Sequence, residues 1–232
     1  MYKGVKRHMI KIIAALLMLV DHVGMVFFKD FIILRYIGRL AMPLFAYCTA
    51  LGFYRTTSLK KYIIRMGLFS LFSQIPFWML MYASDNKDFQ LMHFNIGFTF
   101  LGALFVLYLY KDIKTKTCKN KILNSIGILS ILILSTLLRC DYGAYAILLV
   151  MVFYEFYVLQ KNVLLTLEMF LTATFMLFVM GKGSQFQVQL FGLPALFIII
   201  WIEDKRVKGF KYFFYIFYPV HMLILSIIKW IL

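Results

Sequence analysis

Long apolar runs alternate with short polar or basic clusters along almost the whole chain. Marked off by charged or Gly/Pro-rich flanks, nine runs stand out, at about 10–28, 32–53, 62–83, 93–110, 121–138, 141–159, 162–180, 187–202 and 212–232. Each is close to the roughly 20 residues a helix needs to cross a bilayer. The pattern predicts an all-α, polytopic integral membrane helix bundle of about nine transmembrane helices (eight to ten), forming a single domain over residues 1–232. The loops left over are too short for a folded soluble domain, so function is expected within the bundle or at its rim. The first run is long, is interrupted by Asp21 and His22 and lacks a small-residue cleavage pattern directly after it, so it reads as a span and not a signal peptide.

Composition agrees with this pattern. Hydrophobic residues make up 63% and charged residues 15% of the 232, which excludes a disordered chain, a coiled coil or a disulfide-stapled mini-protein. The net charge of +15 would suggest nucleic acid in a soluble protein. In a membrane protein it suits cytoplasmic loops and anionic lipid headgroups instead, so lipids are expected partners and nucleic acid is not. With the N-terminus in the cytoplasm, 18 Lys and Arg fall on inner segments and 6 on outer ones, with Arg39 inside a span. That asymmetry predicts a membrane protein with its N-terminus in the cytoplasm and its C-terminus outside. Cys48, Cys118 and Cys140 are scattered, with neither a disulfide framework nor metal spacing, and no metal is expected.

Charged groups inside a bilayer cost roughly 2.5–3.5 kcal/mol each on insertion scales, so those present need a reason. Asp21 and His22 lie late in the first run, Arg39 early in the second, Gln74 in the third, Asn95 and Thr99 at the start of the fourth, Asp141 at the start of the sixth and His221 in the ninth. The expected topology puts nearly all of them in the outer half, with His221 near mid-depth, which suggests one site. Adjacent on a helix, Asp21 and His22 point about 100° apart and need partners from other helices. Arg39 is the expected partner of Asp21, and Arg35 shares its face at i, i+4. Pro43 and Pro219 remove N–H groups and loosen the helices beside Arg39 and His221, which is tolerated where a helix lines a cavity. Blander readings stand beside these. Asp21 with Arg39 can be a structural ion pair, Asp141 a helix cap, His221 a packed histidine, and Gln74 and Asn95 interhelical glue.

The blocks Met18-x-x-Asp21-His22-x-Gly24 and Arg35-x-x-Gly38-Arg39-x-x-x-Pro43 resemble those of the TraX family. Gly52 to Thr56, Lys61-Tyr62 with Arg65, Ser73-Gln74-x-Pro76-Phe77, Asn95 to Thr99, Asp141-Tyr142-Gly143 and Tyr218-Pro219-x-His221 continue the likeness in order. Ala146 and Met222 depart from it, beside Asp141 and His221. The resemblance implies an acetyl-CoA-dependent acyltransferase of the wider transmembrane group, carrying an acyl group from cytoplasmic acyl-CoA to an acceptor on the outer face. That acceptor would be a pilin-like protein N-terminus or a cell-surface glycan or lipid. On this reading His22 is the general base, kept neutral by burial. Asp21 and Arg39 form an electrostatic frame, and Arg39, Asn95 or Gln74 stabilise the oxyanion. His221 positions the acceptor or shuttles the proton. Arg35, Gln74, Asn95, Thr99, Asp141 and Tyr142 would bind substrate, and Arg55, Lys60, Lys61 and Arg65 would attract the phosphates of CoA.

Two other functions fit the same residues. A transporter or proton-coupled flippase predicts the same cluster and broken helices, and in addition a polar path to the inner face, where only Glu155 and Glu168 are available. A non-enzymatic assembly protein for a surface polymer predicts that His22 can be replaced without loss.

Overall fold

The computed structural model describes residues 9–84, 92–113, 118–179, 181–202 and 213–232, the side chains of Cys118 and Lys119 excepted. The basic residues Lys3, Lys6, Arg7, Lys87, Lys114, Lys116, Lys205, Arg206, Lys208 and Lys211, which entered the topology argument, lie outside these segments, as does His8.

Among the described residues every regular element is a helix: α1 (Met9–Phe27), α2 (Ile32–Gly38), α3 (Ala41–Arg55), α4 (Leu59–Ala83), α5 (Ile96–Ile113), α6 (Cys118–Leu137), α7 (Gly143–Val152), α8 (Val163–Val179), α9 (Gly183–Leu190), α10 (Ala195–Ile202) and α11 (Phe213–Ile231). A π-helical stretch, Phe153–Leu159, prolongs α7. Six stretches are long and apolar enough to cross a bilayer: Met9–Phe27, Leu59–Ala83, Ile96–Ile113, Asn120–Leu137, Gly183–Ile202 and Phe213–Ile231. Gly143–Leu159 and Val163–Val179 are shorter apolar helices. The protein is therefore a helical membrane protein with about six candidate spans.

Two of the nine runs are broken. The run at 32–53 divides into α2 and α3 at Arg39 and Leu40. Pro43 cannot donate to the Arg39 carbonyl, and the chain tightens there: Arg39 N–H is shared between the Arg35 and Tyr36 carbonyls and Leu40 N–H bonds Ile37. The run at 187–202 divides into α9 and α10 around residues 191–194, where Gly192 and Pro194 interrupt it. The turn between α9 and α10 packs onto the first break. A Cβ on Gly192 would lie 3.2 Å from the Arg39 carbonyl oxygen and 3.2 Å from Pro43 Cγ, so glycine is what allows the two breaks to meet. By contrast Pro76 and Pro219 lie inside the continuous helices α4 and α11.

The bundle packs α1 against α2, α3 and α11, α4 against α11 and α5, and α5 against α6 and α7. Tyr47, Phe100, Phe153, Phe170 and Tyr218 are buried in its core. Most of α6 faces outward, with Leu123, Leu129, Leu134 and Leu137 all more than half exposed, as suits a lipid-facing helix. Several interior hydroxyl groups close onto their own helices, Ser70 to the Met66 carbonyl, Thr174 to Phe170 and Ser226 to Met222. Where no water is available, that is how a buried hydroxyl is satisfied.

Candidate functional site

The end of α1, α2, the α2–α3 break, the start of α7 and α9 enclose a cavity of about 430 Å³, within the size range of small-molecule sites. Asp21, His22, Arg35, Arg39, Asp141 and Tyr142 all line it.

Asp21 is buried and takes both arginines. Arg39 Nη2 donates to Oδ1 at 2.6 Å and to Oδ2 at 2.7 Å, and Arg35 Nη1 donates to Oδ2 at 2.9 Å. Charge-assisted bonds of this kind are the strong ones. Arg39 is further held by the Arg35 carbonyl, through Nε at 3.2 Å, and by the Tyr142 hydroxyl oxygen, through Nη1 at 2.9 Å. Gly38 makes the approach possible, because a Cβ there would overlap the Asp21 side chain. The two sequence blocks are thus two halves of one contact: a carboxylate on α1 faces a glycine and two guanidinium groups on α2.

Tyr142 reaches Arg39 from a turn bent by left-handed residues, Arg139 (φ 49°), Tyr142 (φ 59°) and Gly143 (φ 47°). Non-glycine residues held this way cost of order 1–3 kcal/mol each. The turn is clamped by Asp141 N–H on the Phe94 carbonyl at 2.8 Å and by the Thr99 hydroxyl on the Asp141 carbonyl at 2.7 Å. Because the Tyr142 oxygen accepts from Arg39, its own hydrogen remains available to the cavity.

His22 turns away from Asp21 towards α11, where its Nδ1 lies 2.8 Å from Nε2 of His221 and the rings are nearly coplanar, at 7°. His221 Nδ1 lies 2.8 Å from the Phe217 carbonyl oxygen. A carbonyl only accepts, so His221 Nδ1 carries the proton. With both rings neutral, His221 Nε2 then accepts from His22 Nδ1, and His22 Nε2 is left with a lone pair. No described residue bonds that nitrogen. The relay therefore sets the tautomer of a cavity-lining imidazole as a base.

Other expected site residues are nearby but otherwise engaged. Asn95 Nδ2 donates to the Ser70 carbonyl and to Gln74 Oε1, and Gln74 Nε2 donates to the His93 carbonyl. These amides tie the start of α5 to α4 and do not line the cavity. Thr99 holds the 139–143 turn. His93, which reads from the sequence as a solvated interfacial residue, lines it, and so do Ser184, Gln185 and Gln189, which no sequence signal marked. Burial and the Arg139 cation hold the His93 imidazole, in the loop before α5, below its ordinary range.

Arg55, Lys60, Lys61 and Arg65 are not at this cavity. Arg55 and Arg65 line a second cleft of about 220 Å³ with Lys11, Gly52, Thr56, Tyr62 and Tyr215. Lys60 and Lys61 are exposed and lie outside it. Lys11 is ten residues before Asp21 on α1, so the cleft lies roughly 15 Å along the bundle from the carboxylate. Among the described residues no three His, Cys, Asp or Glu side chains gather as a metal site.

Known proteins match this chain over nearly its whole length. The TraX protein family matches residues 6–229. The chain belongs to the TraX family. It is also similar to the probable fimbrial assembly protein FimC, serogroup H1, of Dichelobacter nodosus, at 28% identity over 95% of this chain and 94% of that protein. No solved structure matches it significantly. The TraX blocks are the segments that build the Asp21–Arg39 contact and the His22–His221 relay.

Proposed function

We propose that this TraX protein is a membrane acyltransferase that moves an acyl group, acetyl in the first instance, from acyl-CoA to an acceptor entering the 430 Å³ cavity. The observation that carries the reading is the histidine relay. It leaves an uncommitted imidazole nitrogen in a cavity that also holds a hydroxyl polarised by a buried guanidinium.

In this mechanism His22 Nε2 takes the proton from the acceptor's hydroxyl or amine as that group attacks the thioester carbonyl. The Tyr142 hydroxyl, with Arg39 behind it, donates to the carbonyl oxygen as negative charge develops. Asp21 and Arg35 hold Arg39 in place, so the frame is fixed before substrate arrives. When the tetrahedral centre collapses, the C–S bond breaks and the thiolate leaves with the proton that His22 had taken. His221 stabilises the transient imidazolium of His22 through its Nε2 lone pair.

The donor enters from the opposite end. Lys11, Arg55 and Arg65 line the second cleft together with two tyrosines and, among the described residues, no acidic one, which suits the phosphates of CoA, and the roughly 15 Å to Asp21 suits an extended thioester arm. On this reading the N-terminus is cytoplasmic, the cleft opens inward, the cavity opens outward, and the membrane is the bacterial plasma membrane. The acceptor belongs to surface assembly, in keeping with the fimbrial relative: a pilin-like N-terminus, a glycan or a lipid. The remaining short apolar helices complete a bundle of about nine membrane-embedded segments.

The test is incubation of the purified protein in lipid nanodiscs with isotope-labelled acetyl-CoA and a membrane extract, followed by mass analysis of labelled products. A labelled protein, glycan or lipid is expected. Absence of any labelled product, together with solute movement in donor-free vesicles, would replace the reading with a transporter.

A further inference from the structure

One wall of the cavity has no part in the chemistry above. Helix α9 presents Ser184, Gln185, Val188 and Gln189 to it, the i, i+1, i+4, i+5 pattern of one helix face. Gln189 is only 7% exposed, yet no described group bonds its amide. In a protein interior a buried amide normally finds a partner. Gln74 and Asn95, equally buried, bond each other and nearby backbone groups. Gln189 instead points into open volume, and Gln185 sits one turn before it towards the mouth, where α9 is exposed. The wall is also fixed in position, since the turn after α9 packs through Gly192 on the Arg39 carbonyl and Tyr36 stacks on Phe191 with ring centres 4.1 Å apart.

The charges facing this wall decide what it suits. Arg35 and Arg39 both bond Asp21, and with Asp141 counted the cavity lining holds two carboxylates and two guanidinium groups, so it carries no formal excess of either sign. An ammonium group only donates, and would leave the amide N–H groups of Gln185 and Gln189 without acceptors. A hydroxyl both donates and accepts, as do an amide and the Ser184 hydroxyl. We infer that the α9 face is the acceptor subsite and that it selects a neutral, hydroxyl-bearing group such as a sugar or polyol, with Gln189 as its main specificity-determining residue. This rests on the acyltransferase reading for its consequence, an ester product, but the binding itself does not.

The experiment has two arms. In the first, saturation-transfer NMR of methyl β-glucoside is recorded with the protein in nanodiscs and no acyl donor, with ethylamine as the amine comparison. The glycoside is expected to receive saturation, and Gln189→Leu or the more exposed Gln185→Leu to weaken its binding roughly tenfold, the loss of about one hydrogen bond. In the second, transfer from labelled acetyl-CoA to the same two probes is measured. Gln189→Leu is expected to raise KM for the glycoside roughly tenfold while KM for acetyl-CoA stays within about twofold. Glycoside binding that both variants leave unchanged, or saturation and acetylation of ethylamine in preference to the glycoside, would overturn the inference. Glycoside binding that depends on Gln189 without any acetyl transfer would keep the subsite and reject the acyltransferase reading.

Discussion

The two ends of the bundle handle charge in opposite ways. At the cavity end, the Asp21 carboxylate takes bonds from two guanidinium groups and one of these also bonds a tyrosine hydroxyl, all within 2.9 Å. At the other end Lys11, Arg55 and Arg65 line a cleft at which, among the described residues, no carboxylate is found. A closed network of this kind is rigid and holds its members for chemistry. A cleft whose described charged lining is all positive draws an anion to it. On the proposed function, the first end performs the reaction and the second recruits the donor.

Substitutions at each end sharpen that contrast. Asp21→Ala leaves the buried Arg39 guanidinium without its carboxylate and beside the half-buried Arg35, and breaking a buried pair costs about 3–5 kcal/mol. A large drop in the thermal unfolding temperature of the detergent-solubilised protein is expected, whereas Arg65→Ala should shift it little. Gly38→Ala attacks the same network sterically. The new methyl overlaps Asp21, and a loss of about 1–3 kcal/mol should appear in the same unfolding measurement, with activity falling in step. At the cleft the effect is on recruitment and not on stability. Lys11→Ala and Arg65→Ala should each raise KM for acetyl-CoA about three- to tenfold, more at low salt, while Lys60→Ala and Lys61→Ala, outside the cleft, should leave it within about twofold.

The same contrast shows what could be read without coordinates. Each of the nine apolar runs forms helix over most of its described length, because a chain this apolar has few other ways to satisfy its backbone in lipid. Pro43 announced the break at Arg39, since a missing N–H is visible in the sequence. The π-helical stretch 153–159 has no such marker. Asp21 with Arg39 was legible because a carboxylate in a span demands a cation, and Arg35 joined it one turn away. Gln189 was not legible. A neutral amide near the start of a run carries little insertion cost, and only the fold of α9 shows that it lines the cavity with no described group bonded to it. Gln74 and Asn95 were equally visible as polar residues, but sequence alone does not tell an amide that holds backbone from one that faces a cavity. Lys60 and Lys61 shared the charge of Arg55 and Arg65 but not their direction.

The most direct test is acetyl transfer by His22→Ala and His221→Ala proteins that still insert and keep the parent's unfolding temperature. General-base loss predicts transfer lower by about 10²–10⁴ for His22→Ala. A smaller loss is predicted for His221→Ala, which frees the His22 tautomer without removing the base. Undiminished transfer by a folded His22→Ala protein would contradict the role given to the relay.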